Sequence, residues 1–198
     1  MRREIKVCGM AYPDNIHDVA ALHPDYIGLI FHTSSPRNAY LLLPTDLPAG
    51  IRRVGVFVNR PASDILAIAA YYDLSAVQLH GDETPEFCQS LKGHGFEVWK
   101  AVGIETAEDF KAIERYDVDR IVLDKKSPSR GGTGRKFDWT LLEHYTAPTP
   151  FMLAGGIGPE DAQAVAIMDH PRLVGFDLNS RFESEPGVKD ITLLKSFL

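Results

Sequence analysis

The sequence predicts an α/β protein built as one small, closed, parallel (β/α)8 barrel. Three observations carry that expectation. Eight short, apolar, β-branched runs recur along the whole chain. Helix-start patterns lie between most of them. The polar residues that end several runs share one alternation phase, as they would around the rim of a closed sheet. At 198 residues the chain is short for such a barrel, so its loops must be short. One domain covering 1–198 is expected, because two cores would be cramped.

The runs are Ile5–Val7, Tyr26–Phe31, Val54–Val58, Ala76–Leu79, Val98–Val102, Ile121–Leu123, Phe151–Ala154 and Val174–Leu178. Nearly continuous apolar character suits strands covered on both faces. After the first run, Pro13-Asp14-Asn15 opens a helix over Ile16–Leu22. The second unit reads differently: Asn38–Gly50 holds Leu41-Leu42-Leu43 together with Pro44 and Pro48, so its helix is short or irregular. Pro61-Ala62-Ser63-Asp64 opens Ile65–Tyr72, and Thr84-Pro85-Glu86 opens Phe87–Leu91. Thr106-Ala107-Glu108 opens Asp109–Tyr116, and Gly158-Pro159-Glu160 opens Asp161–Met168. Proline and acidic residues suit a first helical turn, where N–H groups lack helical partners.

Alternation sorts each strand into two faces. Lys6 and Cys8 fall on the barrel side, as do Gln78 with His80, Val122 with Asp124, and Asp177 with Asn179. Asn59 follows its strand in the same sense. Cys8, Asn59, His80, Asp124 and Asn179 therefore converge on the C-terminal rim, where barrel enzymes place their chemistry. Taken singly, Cys8 also reads as a small buried hydrophobe, His80 as a satisfied rim histidine and Asp124 as a cap. Cys88 fits the buried reading well. Lys6 and Lys100 are both expected inward, paired with Asp177 or Asp124, since a buried lysine needs a partner. Gly155-Gly156 after the seventh run and Asn179-Ser180 after the eighth stand where barrels hold phosphate. The basic, glycine-rich stretch from Lys125 to Lys136 reads as a cover that closes over an anion.

Composition narrows the partners. With 21 Lys and Arg against 27 Asp and Glu, the net charge of −6 argues against nucleic acid. A small phosphorylated ligand needs only local dipoles. No run approaches the ~18 apolar residues of a membrane span, and no signal peptide is evident. Two cysteines make no disulfide framework, so the cytoplasm is the expected compartment. His80 beside Asp124 is too sparse a set for a metal site, and none is expected. The oligomeric state is open between monomer and homodimer.

In order along the chain stand Lys6-Val7-Cys8-Gly9-Met10, Ser35-Pro36-Arg37, Val54-Gly55-Val56-Phe57-Val58-Asn59 and Val77-Gln78-Leu79-His80-Gly81-Asp82-Glu83. They continue with Leu123-Asp124, Gly131-Gly132-Thr133-Gly134, Phe137-Asp138-Trp139 and Leu153-Ala154-Gly155-Gly156-Ile157. Asp177-Leu178-Asn179-Ser180, Glu183 and Pro186-Gly187-Val188-Lys189-Asp190 close the series. This ordered set resembles the phosphoribosylanthranilate isomerase family of tryptophan biosynthesis, over nearly the whole chain. The resemblance implies a TIM barrel and an Amadori rearrangement without metal or organic cofactor. It implies Cys8 as general base and Asp124 as general acid, with Arg37 on the anthranilate carboxylate. Gly155, Gly156, Asn179 and Ser180 would hold phosphate, and His80 and Asp177 complete the substrate-binding set. Arg181 departs from the family's usual glycine; it would be strained at positive φ, or would add a phosphate contact.

Chemically, Cys8 needs some thiolate at pH 7, which nearby Lys6 would favour, and Asp124 needs a proton, which an apolar rim would favour. Two rivals stay open: an indole-glycerol-phosphate-synthase-like barrel using Lys6 or Lys100, and a non-catalytic phosphate-binding barrel.

Overall fold

The computed structural model describes residues 2–126 and 136–198. Eight parallel strands close into a barrel: β1 (Glu4–Cys8), β2 (Tyr26–Ile30), β3 (Arg52–Phe57), β4 (Ala76–Leu79), β5 (Glu97–Ile104), β6 (Arg120–Lys125), β7 (Phe151–Leu153) and β8 (Leu173–Leu178). Closure is made by β1, which pairs with both neighbours, so that Lys6 stands opposite Tyr26 on one side and Asp177 on the other. The helices are α1 (Pro13–Ala20), α2 (Ala62–Tyr71), α3 (Pro85–Ser90), α4 (Ala162–Ala166) and α5 (Ile191–Phe197). The eight-stranded expectation holds, with strand ends moved by a residue or two. A small antiparallel hairpin, β9 (Glu183–Glu185) with β10 (Val188–Lys189), follows β8 and was not foreseen.

Two apolar layers follow from the alternation. Outward residues such as Val7, Leu29, Val77, Leu123, Leu153 and Phe176 pack under the helices. Inward residues Tyr26, Val54, Ala76, Trp99, Val122 and Met152 fill the barrel. Cys88 lies wholly buried in the outer layer. At the N-terminal end, Tyr26 meets Trp99 edge-on at 5.0 Å. Arg52 and Arg120 cover those rings and pair with Glu4. This floor is aromatic and ion-paired, which leaves the C-terminal mouth for a ligand.

Three expectations need comment. Lys100 does not point inward. It lies between Trp99 and Ala101, both in the barrel interior, so its stem runs outward. There Nζ donates to Glu83 Oε2 at 3.1 Å, Gly81 O at 2.8 Å and Leu79 O at 3.1 Å. Lysine goes outward here because Trp99 fills the interior and a buried carboxylate waits behind the strand. Second, no helix joins β2 to β3; Leu42 is buried, Leu41 and Leu43 are exposed, and Tyr72 donates its hydroxyl to Leu42 O at 2.7 Å. Third, the segment expected as a helix over Asp109–Tyr116 is a 3₁₀ turn series, Ala107–Arg115. Its buried residues are Phe110 and Ile113, three apart, and a three-residue repeat aligns them into one stripe.

That segment starts on Asp109, which accepts from the backbone N–H of Thr106 at 2.9 Å and of Glu105 at 3.0 Å. Burial pushes its carboxyl up, but the Lys126 ammonium and these N–H donors outweigh it and hold the pKa at about 2. The shift is downward, so the stability it supplies is complete above the ordinary value of 3.8 and disappears as pH falls toward 2. Replacing Asp109→Ala should cost about 1 kcal/mol at neutral pH. Denaturant titrations should show that cost shrinking between pH 4 and pH 2; a pH-independent cost would contradict the assignment.

Candidate active site

Cys8, His80, Asp124 and Asn179 of the expected inward set meet at the C-terminal rim, whereas Asn59 is exposed and turned toward Asp82 and Glu83. Cys8 ends β1 and is buried. Gly28 of β2 makes room for it: a Cβ there would lie 2.7 Å from the Cys8 sulfur. The next residue, Gly9, turns the chain with φ +76°, and a Cβ would meet Asn179 Oδ1 at 2.6 Å and Arg37 Cδ at 2.7 Å. Only glycine lets the β8 loop and the arginine stem close so tightly beside the thiol.

Lys6 stands one alternation below Cys8, wholly buried, with Nζ 2.7 Å from Asp177 Oδ2 and 2.8 Å from Gln78 Oε1. Burial opposes charge on Lys6, but Asp177 and Cys8 together raise its pKa. Burial also pushes the Asp177 carboxyl up; with two acceptors on Nζ, the pair stands as ammonium and carboxylate. Asp177 Oδ1 is buried and has no hydrogen-bond partner among the described residues. Gln78 Nε2 lies 3.2 Å from His80 Nδ1, and His80 Nε2 lies 3.3 Å from Asp124 Oδ2. Asp124 Oδ1 accepts from the Lys125 N–H at 2.7 Å. Asp177, His80 and Asp124 interact electrostatically, and Asp177 also acts on Cys8. One polar string therefore joins β1, β4, β6 and β8 across the mouth.

The thiol is not poised as expected. Burial pushes Cys8 up, Asp177 adds to that, and Lys6 with Lys189 only partly counter it. A single ammonium does not overcome desolvation at a closed site. Nor is Asp124 in an apolar rim; its neighbours are an imidazole and a backbone N–H.

Arg37 reaches the same mouth from the β2 loop. Its Nε donates to Glu183 at 2.9 and 3.0 Å, and Nη2 donates to Oε2 at 2.7 Å. Lys189 Nζ pairs with Glu183 Oε1 and donates to Asn179 Oδ1 at 3.0 Å. Burial opposes ionisation of Glu183, but Arg37 and Lys189 hold it below the ordinary carboxylate range. Burial lowers Lys189 despite Glu183. These two hairpin residues clamp Arg37 and Asn179, and neither was assigned a role from sequence. The cue was present as a Pro186-Gly187 turn flanked by opposite charges.

Gly155 and Gly156 take left-handed backbone, with φ +77° and +74°. A Cβ on Gly155 would crowd Lys125 N at 2.7 Å and Asp124 Oδ1 at 2.8 Å. The following turn is self-capped, with the Gly158 N–H donating to Asp161 Oδ2 at 2.8 Å. Asn179 and Ser180 lead into a short 3₁₀ turn, Ser180–Phe182. Arg181 has no positive φ, and its guanidinium pairs with Glu160 at 2.8 Å. It thus ties the two glycine-and-serine loops together rather than straining one of them. Asn59 is structural: its N–H donates to Glu83 Oε1 and its side-chain oxygen accepts from Asp82 N–H. The cover from Lys125 to Lys136 lies largely outside the described residues. Among those described, no group of three His, Cys, Asp or Glu side chains is placed to hold a metal. No helix among them is long and apolar enough to cross a membrane.

The sequence profile described as N-(5'-phosphoribosyl)anthranilate (PRA) isomerase matches residues 5–198. The chain belongs to this isomerase family. A relative from Parabacteroides distasonis, named N-(5'-phosphoribosyl)anthranilate isomerase, is 45% identical, covering 98% of this chain and 91% of its own. A solved phosphoribosylanthranilate isomerase, in complex with reduced 1-(o-carboxyphenylamino)-1-deoxyribulose 5-phosphate, superposes with TM-score 0.83 at 29% identity, covering 99% and 96% of the two chains. Another, described as monomers of the dimeric isomerase from Thermotoga maritima, gives 0.80 at 32% identity, covering 99% and 96%. The chain is thus an aldose–ketose isomerase of tryptophan biosynthesis. In this isomerase Lys100 faces away from the mouth, which removes one of the two lysines that the synthase-like alternative required.

Proposed function

We propose that the enzyme converts N-(5-phosphoribosyl)anthranilate to 1-(2-carboxyphenylamino)-1-deoxyribulose 5-phosphate, with Asp124 as general acid and Cys8 as general base. The convergence of Cys8, Asp124 and Asp177 on one inward rim carries the reading. Asp124 gives a proton to the furanose ring oxygen as the C1–O bond breaks. The anthranilate nitrogen supplies the electron pair that forms a C1=N Schiff base. Cys8 then removes the C2 proton, the C–H pair forms C1=C2, and the nitrogen regains its electrons. The resulting enolamine takes a proton at C1 and releases the proton of its C2 hydroxyl, which becomes the ketone.

A thiol raised by burial suits this sequence. The protonated Schiff base brings positive charge to the base only after ring opening, and that charge favours thiolate at the moment of need. The buried, unsatisfied Asp177 Oδ1 suits a substrate hydroxyl donor. The backbone of Gly155, Gly156 and Ser180, with Asn179, suits the phosphate. His80 lies within reach of a substrate bound beside Asp124. Two buried free thiols suit a reducing compartment such as the cytoplasm.

Arg37 carries the anthranilate carboxylate in this reading. Glu183 occupies its Nε–Nη2 edge, and Nη1 makes no hydrogen bond among the described residues. Loss of phosphoribosylanthranilate fluorescence on incubation with the purified protein tests the activity itself. In the same assay Arg37→Ala should raise KM about 10- to 100-fold and change kcat much less. An unchanged KM removes Arg37 from the carboxylate site.

A further inference from the structure

The orientation of Gln78 is set by its neighbour. Lys6 can only donate, and it points at Gln78 Oε1 from 2.8 Å inside the barrel. The other end of the amide, the NH₂ group, therefore faces His80 Nδ1 at 3.2 Å. An amide NH₂ donates and does not accept, so Nδ1 has to be the bare ring nitrogen. The ring proton then belongs on Nε2, which lies 3.3 Å from Asp124 Oδ2. We propose that Lys6 and Gln78 lock His80 in the Nε2–H tautomer, making His80 a positioning residue that holds Asp124 through a single neutral donor.

The consequence rests on the acid role proposed for Asp124. A proton on Nδ1 would set N–H against N–H. Asp124 on β6 and Asp177 on β8 also act on the ring. Lys6 on β1 is the opposing charge, and its own carboxylate is Asp177. A neutral donor fixes Oδ2 in direction but stabilises the carboxylate less than an imidazolium would. Asp124 can then release a proton to the ring oxygen and take one back within a turnover.

Long-range ¹H–¹⁵N spectra of the imidazole, recorded on the intact protein without substrate, read the tautomer directly. The expected result is a protonated Nε2 and bare Nδ1 in the neutral ring. Gln78→Glu replaces the donor facing Nδ1 with an acceptor, so Nδ1 should become protonated. With it, kcat should fall about tenfold, KM should change less, and the acidic side of the rate profile should change shape. Gln78→Met, which offers no donor, should give a mixture of tautomers and an intermediate rate. An Nδ1–H ring in the wild-type protein overturns the lock. So does a Gln78→Glu protein whose tautomer and rate profile match the wild type. A locked ring whose loss leaves kcat unmoved overturns the link to Asp124. The spectra need no substrate, so they test the lock separately from the isomerase reading.

Discussion

Cys8→Ser should lower kcat by about 10²- to 10⁴-fold while leaving KM near its wild-type value. Serine keeps the Cβ and nearly the shape, and the pocket around it is set by Gly28 and Gly9, which the substitution does not touch. The change lies in basicity: an alcohol remains protonated where a thiol can yield. Burial has pushed the thiol above its ordinary value, against the pull of Lys6 and Lys189. The thiolate population of the free enzyme therefore grows as pH rises above neutrality. The ascending limb of kcat/KM should extend to alkaline pH in the wild-type enzyme and be lost in Cys8→Ser. Cys88 provides an internal control. Burial pushes it up to about 11, and it sits behind the sheet in the apolar layer. Cys88→Ser should change the rate profile little. If the Cys8→Ser enzyme turns over at near-normal rate, or keeps the limb, the sulfur is not the base.

The parts of this site that could be read from sequence are those governed by strand alternation. Cys8, Gln78, His80, Asp124 and Asp177 lie on strands or at their ends, and a period of two settles which way each points once its strand is known. The same rule, applied to Lys100 by polarity rather than by phase, gave the wrong face. Its neighbours Trp99 and Ala101 are the interior residues, and the lysine finds Glu83 outside. The 3₁₀ segment Ala107–Arg115 was missed because start signals are shared by both helix types, while the spacing of Phe110 and Ile113 distinguishes them only weakly. The clamp on Arg37 was out of reach for another reason. Glu183 lies 146 residues further along, on a hairpin with no apolar run of its own, so only the closed barrel brings the two together.

Asp124→Asn should also lower kcat by about 10²- to 10⁴-fold, and by a mechanism distinguishable from that of Cys8. Asparagine keeps the shape and one oxygen to accept from the Lys125 N–H, while its NH₂ replaces the oxygen that faces His80 Nε2, so the rim keeps one of its two contacts. It has no acidic proton to give to a furanose oxygen. Ring opening then becomes the blocked step, whereas Cys8→Ser blocks the later removal of the C2 proton. A substrate analogue already in the open-chain form should separate the two. Exchange of its C2 proton with solvent should persist in Asp124→Asn and vanish in Cys8→Ser. Gly155→Ala offers an independent approach to the same carboxyl. Its Cβ would crowd Asp124 Oδ1 and the Lys125 nitrogen from a backbone at positive φ. Displacing the acid in this way should damage the same step without removing the group. If Asp124→Asn retains turnover, or loses proton exchange and ring opening together, the separation of acid from base across the barrel mouth fails.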